Sequence, residues 1–91
     1  MKSEGVVIIP TYNEKENIEN IICKVLSLEH AFDILVIDDG SPDGTADIVK
    51  RLMTEFTGRL FIIERSGKQG LGTAYITGFK WALAHGYESF F

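Results

Sequence analysis

The sequence predicts an α/β domain, a βαβαβα(β) parallel sheet with helices on both faces. Three observations carry this. Short β-branched runs recur along the chain without polar alternation, as strands buried on both faces do. Between them, apolar residues fall at helical spacing. The two patterns alternate, and strands joined through helices lie parallel with right-handed crossovers.

Each element has its own signal. Gly5-Val6-Val7-Ile8-Ile9 reads as a buried strand ended by Pro10. Ile18, Ile21, Ile22, Val25 and Leu26 place an amphipathic helix over roughly residues 14–28. Asn13 suits its N-cap, with Glu14 at the first helical position and Glu16 completing a capping box. Ile34-Leu35-Val36-Ile37, within residues 33–38, is a second buried strand. Ser41 as N-cap and Pro42 behind it would open a second helix, marked by Ile48, Val49, Leu52, Met53 and Phe56 and stopped by Gly58. Leu60-Phe61-Ile62-Ile63 is a third strand. Residues 73–85 form a third helix, with Gly86 just past its end. Tyr87-Glu88-Ser89-Phe90-Phe91 reads as the start of a fourth strand.

A chain of 91 residues is one small domain, here read as a single partial domain over 1–91. The apolar end leaves a sheet edge uncovered, so the isolated chain is expected to self-associate. A net charge of −4 gives no general attraction to nucleic acid. No apolar stretch is long enough to cross a bilayer as a helix. Cys23 stands alone, which fits a reducing cytoplasm and excludes an internal disulfide. Phe79 and Trp81 read as packing residues, and Cys23 has nothing near it to activate a thiol.

Open α/β sheets bind ligands beyond the carboxyl ends of their strands, so the loops after strands one, two and three carry the functional question. The first, "PTYNE", lacks the glycines of a dinucleotide fingerprint. Its Tyr12 offers a flat face and a hydroxyl, which suit a base or ribose. In the second, Asp38 and Asp39 adjoin along a strand, so their side chains diverge and are ill placed to share one metal ion. A strand-end carboxylate can instead accept from the N–H groups of guanine or uracil, and a plain Asp39-Gly40 turn remains open on residue types alone. Ser41 to Thr45 read chiefly as a turn into the helix. The third loop matches neither G-x-G-x-x-G nor Walker A. It does bring the cations Arg65 and Lys68 to a helix N-terminus, a setting suited to a diphosphate.

"IIPTYNEKENI", "VIDDGSPDGTADIV" and "RSGKQGLGTAYITGF" together resemble the opening motifs of dolichol-phosphate (polyprenyl-phosphate) mannosyltransferases, inverting family-2 glycosyltransferases of GT-A fold. The likeness runs from Ile8 to Gly86. It implies that the chain is the N-terminal nucleotide-binding half of a GT-A, Rossmann-like domain. It implies that Pro10, Tyr12 and Glu14 hold base and ribose, that Ile37 and Asp39 line the base pocket with Asp39 reading the base, that Asp38 supports the loop, and that Lys68 lies on the nucleotide side. It also implies Mg²⁺ or Mn²⁺ in the intact enzyme, on a D-x-D motif expected beyond Phe91. GDP-mannose is the implied donor and a dolichyl or polyprenyl phosphate the acceptor, at the cytoplasmic face of a membrane. No catalytic residue falls within the 91, so the segment alone is expected to be inactive. The competing readings are a family-2 enzyme using a UDP-sugar, a receiver-like module, and a non-catalytic interaction domain. A receiver would place its paired acids after strand one, where Pro10-Thr11 stand.

Overall fold

The computed structural model describes residues 5–67 and 70–91. Its elements are β1 (Gly5–Thr11), α1 (Ile18–Leu26), β2 (Phe32–Asp38), α2 (Thr45–Glu55), β3 (Leu60–Glu64) and α3 (Leu71–Ala84). The three strands pair in parallel in the order β1-β2-β3. On the other side of β1, Phe90 forms a parallel bridge with Val6. Backbone bonds run from Val6 N to Ser89 O (3.1 Å), Ile8 N to Phe91 O (2.9 Å) and Phe91 N to Val6 O (3.0 Å). The last residues therefore do start a fourth strand.

Strand alternation sorts the side chains into two cores. Ile34, Val36 and Leu60 pack with Ile18, Ile22 and Leu26 of α1 and with Val49 and Leu52 of α2. Val6, Ile8, Leu35 and Ile37 face the other way, onto Ala74 and Ala82 of α3. Helix α3 approaches β1 closely: a methyl group on Gly78 would lie 2.7 Å from Cγ2 of Ile8. Trp81 is half-buried and stacks on His85 at 4.0 Å, and Phe79 lies against Phe90 at 4.9 Å. Trp81 therefore packs against the core, whereas Phe79 is exposed and touches neighbouring aromatics at the surface.

Three boundaries differ from the sequence reading. Pro10 lies inside β1, with Thr11 as its last residue. Within β1, Val6 and Ile8 direct their backbone groups to the fourth strand, and Pro10 shares their parity. Its missing N–H thus falls on the side away from β2, where a proline is tolerated. Asn13 is not the cap of α1. It adopts φ +56°, and a further turn intervenes in which Glu14 O accepts from Asn17 N (3.0 Å) and Ile18 N (2.8 Å). Asparagine tolerates that left-handed backbone better than most residues. Ser41 does not cap α2 either, since the helix starts at Thr45 behind Gly44 at φ +93°.

The path from β1 through β2 to β3 moves outward in one direction, and α3 then returns the chain to the far side of β1. The strand order reverses at β1. The loop after β1 consequently stands where open α/β sheets form their ligand crevice.

Candidate functional site

At the carboxyl ends of the strands lie three loops, whose described parts are residues 12–17, 39–44 and 65–67 with Gly70. Asp38 organises the first two. It is 1% exposed and ends β2 beside Thr11, its partner in register. The hydroxyls of Thr11 and Ser41 each donate to its Oδ1 at 2.7 Å, and Ser41 N–H donates to Oδ2 at 3.0 Å. A buried carboxylate with three donors is well satisfied. Its bonds all serve the loop.

The second loop then grips the first. Three successive backbone N–H groups, those of Asn13, Glu14 and Lys15, donate to Ser41 Oγ (2.9 Å), Thr45 Oγ1 (3.0 Å) and Asp43 Oδ2 (3.1 Å). Asp43 Oδ1 also accepts from the backbone and hydroxyl of Thr45, closing a short turn at the start of α2. The Thr45 hydroxyl does most to hold the Asp43 carboxyl below its usual range; desolvation, the next largest effect, opposes it, and the Lys15 and Thr45 amides add to the lowering. Ser41 to Thr45 do turn the chain into its helix, and they also fix the backbone from which Tyr12 and Glu14 project. That second duty requires knowing which loops are neighbours, so spacing along the chain could not show it.

Asp39 points to the opposite face from Asp38, as strand alternation demands. Arg65 Nε donates to its Oδ1 at 2.7 Å and Arg65 Nη2 to its Oδ2 at 2.9 Å, and each side chain is only 9% exposed. This is a bidentate, nearly buried ion pair. The same guanidinium donates to Thr73 Oγ1 (3.1 Å) and Gly70 O (3.4 Å) at the start of α3. The sequence reading offered Arg65 as a cation for a diphosphate. The structure corrects that: its guanidinium is committed to Asp39 and to the start of α3. Ile37 pairs in register with Ile63, so Asp39 and Arg65 are the next same-face neighbours across β2 and β3. Gly40 completes the junction. At φ +72°, a Cβ there would stand 3.0 Å from Gly67 N and 3.3 Å from Arg65 O, backbone atoms that cannot yield easily.

The other expected site residues fall as follows. Tyr12 is 38% exposed at the crevice, and Glu14 is half-buried beside it. Pro10 is half-buried at the end of β1. Ile37 is fully buried against α3, so it backs the loops instead of presenting an open wall. Lys68 lies outside the described residues. No group of three metal-ligating side chains occurs among the described residues. Asp38 and Asp39 are turned to different partners. No helix among the described residues is long and apolar enough to cross a membrane. A separate cleft of about 390 Å³ lies at the opposite ends of the strands, lined by Leu26, His30, Asp33 and Arg59 among others. There Asp33 accepts from the Tyr87 hydroxyl at 2.6 Å.

Residues 6–85 match the family model of glycosyl transferase family 2. Over 83 residues the chain is 46% identical to a polyprenol monophosphomannose synthase of Mycolicibacterium smegmatis, covering 91% of this chain and 31% of that protein. It is 41% identical to an undecaprenyl-phosphate mannosyltransferase of Micrococcus luteus, covering 91% of this chain and 34% of that one. A mannosyltransferase of Pyrobaculum calidifontis, solved in complex with GDP-Man and Mn²⁺, superposes with a TM-score of 0.77 at 28% identity, over 90% of this chain and 25% of that one. The chain thus spans about a third of the curated relatives it matches.

Proposed function

The chain belongs to glycosyl transferase family 2, and on that footing we propose that it is the nucleotide-binding half of a polyprenyl-phosphate mannosyltransferase. The observation that carries the proposal is the crevice at the strand-order reversal. There an ionised, oriented Asp39 stands on one loop, and the exposed Tyr12 projects from a neighbouring loop whose backbone is clamped in place. A carboxylate is an acceptor, which suits the N–H edge of guanine, and a tyrosine face suits a base or ribose. Glu14 and Pro10 border the same loop, Ile37 supports it from below, and Asp38 holds it together. Lys68 is assigned to the nucleotide side. The relatives, a polyprenol monophosphomannose synthase, an undecaprenyl-phosphate mannosyltransferase and a mannosyltransferase bound to GDP-Man, support mannose as the sugar and a polyprenyl phosphate as the lipid in this reading.

In the intact protein, an oxygen of the polyprenyl phosphate attacks the anomeric carbon of GDP-mannose. The bond from that carbon to the diphosphate breaks, GDP departs, and the configuration inverts. A lipid phosphate is already ionised at neutral pH, so the acceptor needs no strong general base. The role of this segment is to hold the nucleoside so that the sugar is presented in one orientation, a contribution of positioning. We assign the Mg²⁺ or Mn²⁺ requirement to residues outside the described part. We place the intact protein peripherally at the cytoplasmic face of a membrane, where its acceptor lies.

The test is transfer of labelled mannose from GDP-mannose to a polyprenyl phosphate by the intact protein, with UDP-glucose as the competing donor and chelator as the control. The expected result is lipid-extractable label from GDP-mannose, lost on chelation. Transfer from UDP-sugars alone, or none, would overturn the reading. Residues 1–91 by themselves should transfer nothing.

A further inference from the structure

Arg65 is placed to decide which nucleobase the crevice accepts. We propose that it is a positioning residue for base selection, acting through Asp39; the inference rests on the nucleotide-binding reading above. A guanidinium presents its N–H groups in a rigid planar fork that matches a carboxylate. Two bonds, at 2.7 and 2.9 Å, therefore set the plane of the Asp39 carboxylate as well as its position. The pair is nearly buried, each side chain being only 9% exposed, so water competes little for these two bonds.

The direction of the acceptor is what matters for recognition. An ionised carboxylate only accepts, while a protonated carboxyl also donates. The acceptor-only state matches guanine, which presents a ring N–H beside an amine. It opposes adenine, whose corresponding ring nitrogen is itself an acceptor. Without Arg65 the carboxylate loses the two bonds that set its plane, and its acceptors are no longer aimed at one edge of one base. Discrimination arises from the mismatch of paired donors and acceptors, so fixing one partner is the means of obtaining it.

The remaining bonds of Arg65 extend the device. Its contacts to Thr73 Oγ1 and Gly70 O tie the acid on β2 to the first turn of α3. Its backbone N–H donates to Asp38 O at 2.8 Å, so the strand end and the side chain are held by one residue. Lysine in its place could supply charge without the planar fork.

The experiment measures dissociation constants of GDP, UDP, ADP and CDP by calorimetry on the intact protein. Wild type is compared with Arg65→Lys, Arg65→Met and the neutral double variant Asp39→Asn/Arg65→Gln. Wild type should favour GDP over ADP, and Arg65→Met should narrow that ratio by roughly ten- to a hundredfold. Arg65→Lys should fall between them, and the double variant should lose the preference. A purely structural role would weaken all four nucleotides by one common factor and leave the ratios unchanged, which would overturn the inference. Should Arg65→Met not fold, Arg65→Lys and the double variant give the same decision. Failure of wild type to bind any of the four would instead overturn the nucleotide reading itself.

Discussion

Asp38→Asn isolates the clamp between the first two loops with the smallest change of shape. Three donors converge on this carboxylate: two hydroxyls at 2.7 Å and a backbone N–H at 3.0 Å. The Ser41 hydroxyl cannot turn away freely, because its oxygen accepts from Asn13 N–H. The amide of asparagine keeps one acceptor and replaces the other with a donor, so at least one donor faces another donor. A hydrogen bond to a charged group contributes about 1.5–3 kcal/mol, and a buried unsatisfied polar group costs about 1–3 kcal/mol. Allowing for the bond that the amide oxygen retains, the expected loss is about 3 kcal/mol. A domain of this length has a total stability of about 5–14 kcal/mol, so the loss is a large share of it. At about 4–8 °C per kcal/mol, the melting temperature should fall by roughly 12–24 °C. Urea unfolding followed by far-ultraviolet circular dichroism should show a lower midpoint with an unchanged slope. Glu19→Gln, which breaks an exposed ion pair to Arg51, should cost less than about 0.5 kcal/mol. An Asp38→Asn loss no larger than that of the control would refute the clamp.

Three further outcomes follow from local geometry. The Asp43 carboxyl is held below its usual range by the bonds described, so the stability it contributes is present above the unfolded value of about 3.9 and fades as pH falls through the folded value; Asp43→Asn should flatten the acid limb of the urea-midpoint profile, and an unchanged limb would contradict this. Tyr87 is driven above the usual phenol range, first by burial and then by its bond to Asp33; comparing ultraviolet titrations with Tyr87→Phe should remove a component only well above pH of about 10. Gly78→Ala gains about 1 kcal/mol of helix propensity but presses a methyl group to 2.7 Å from Ile8, at a cost of about 1–3 kcal/mol; a net loss of about 1 kcal/mol is expected, and net stabilisation would show that Ile8 repacks without strain.

The strands were legible because each is an unbroken apolar run, and their alternation into two cores follows from residue parity alone. Helix starts were less legible. Asn13 and Ser41 have capping chemistry, but Asn13 takes a left-handed turn ahead of the helix and the Ser41 hydroxyl bridges to the first loop. Asp39 stood out in the sequence as a strand-end acid, whereas its partner lies 26 residues away and required the β2–β3 register. Thr11, Asp43 and Thr45 were missed for the same reason: their partners are close only after folding. Gly78 gave no local sign, because its cause is Ile8 on another element.

The central claim is that the loops after β1 and β2 form the nucleotide half of the donor site. Hydrogen exchange of the intact protein, with and without GDP-mannose, tests it without any substitution. The account predicts slowed exchange in residues 11–15 and 38–45, centred on Tyr12 and Asp39. Slowing confined to other parts of the protein, with these two loops unchanged at saturating donor, would contradict it.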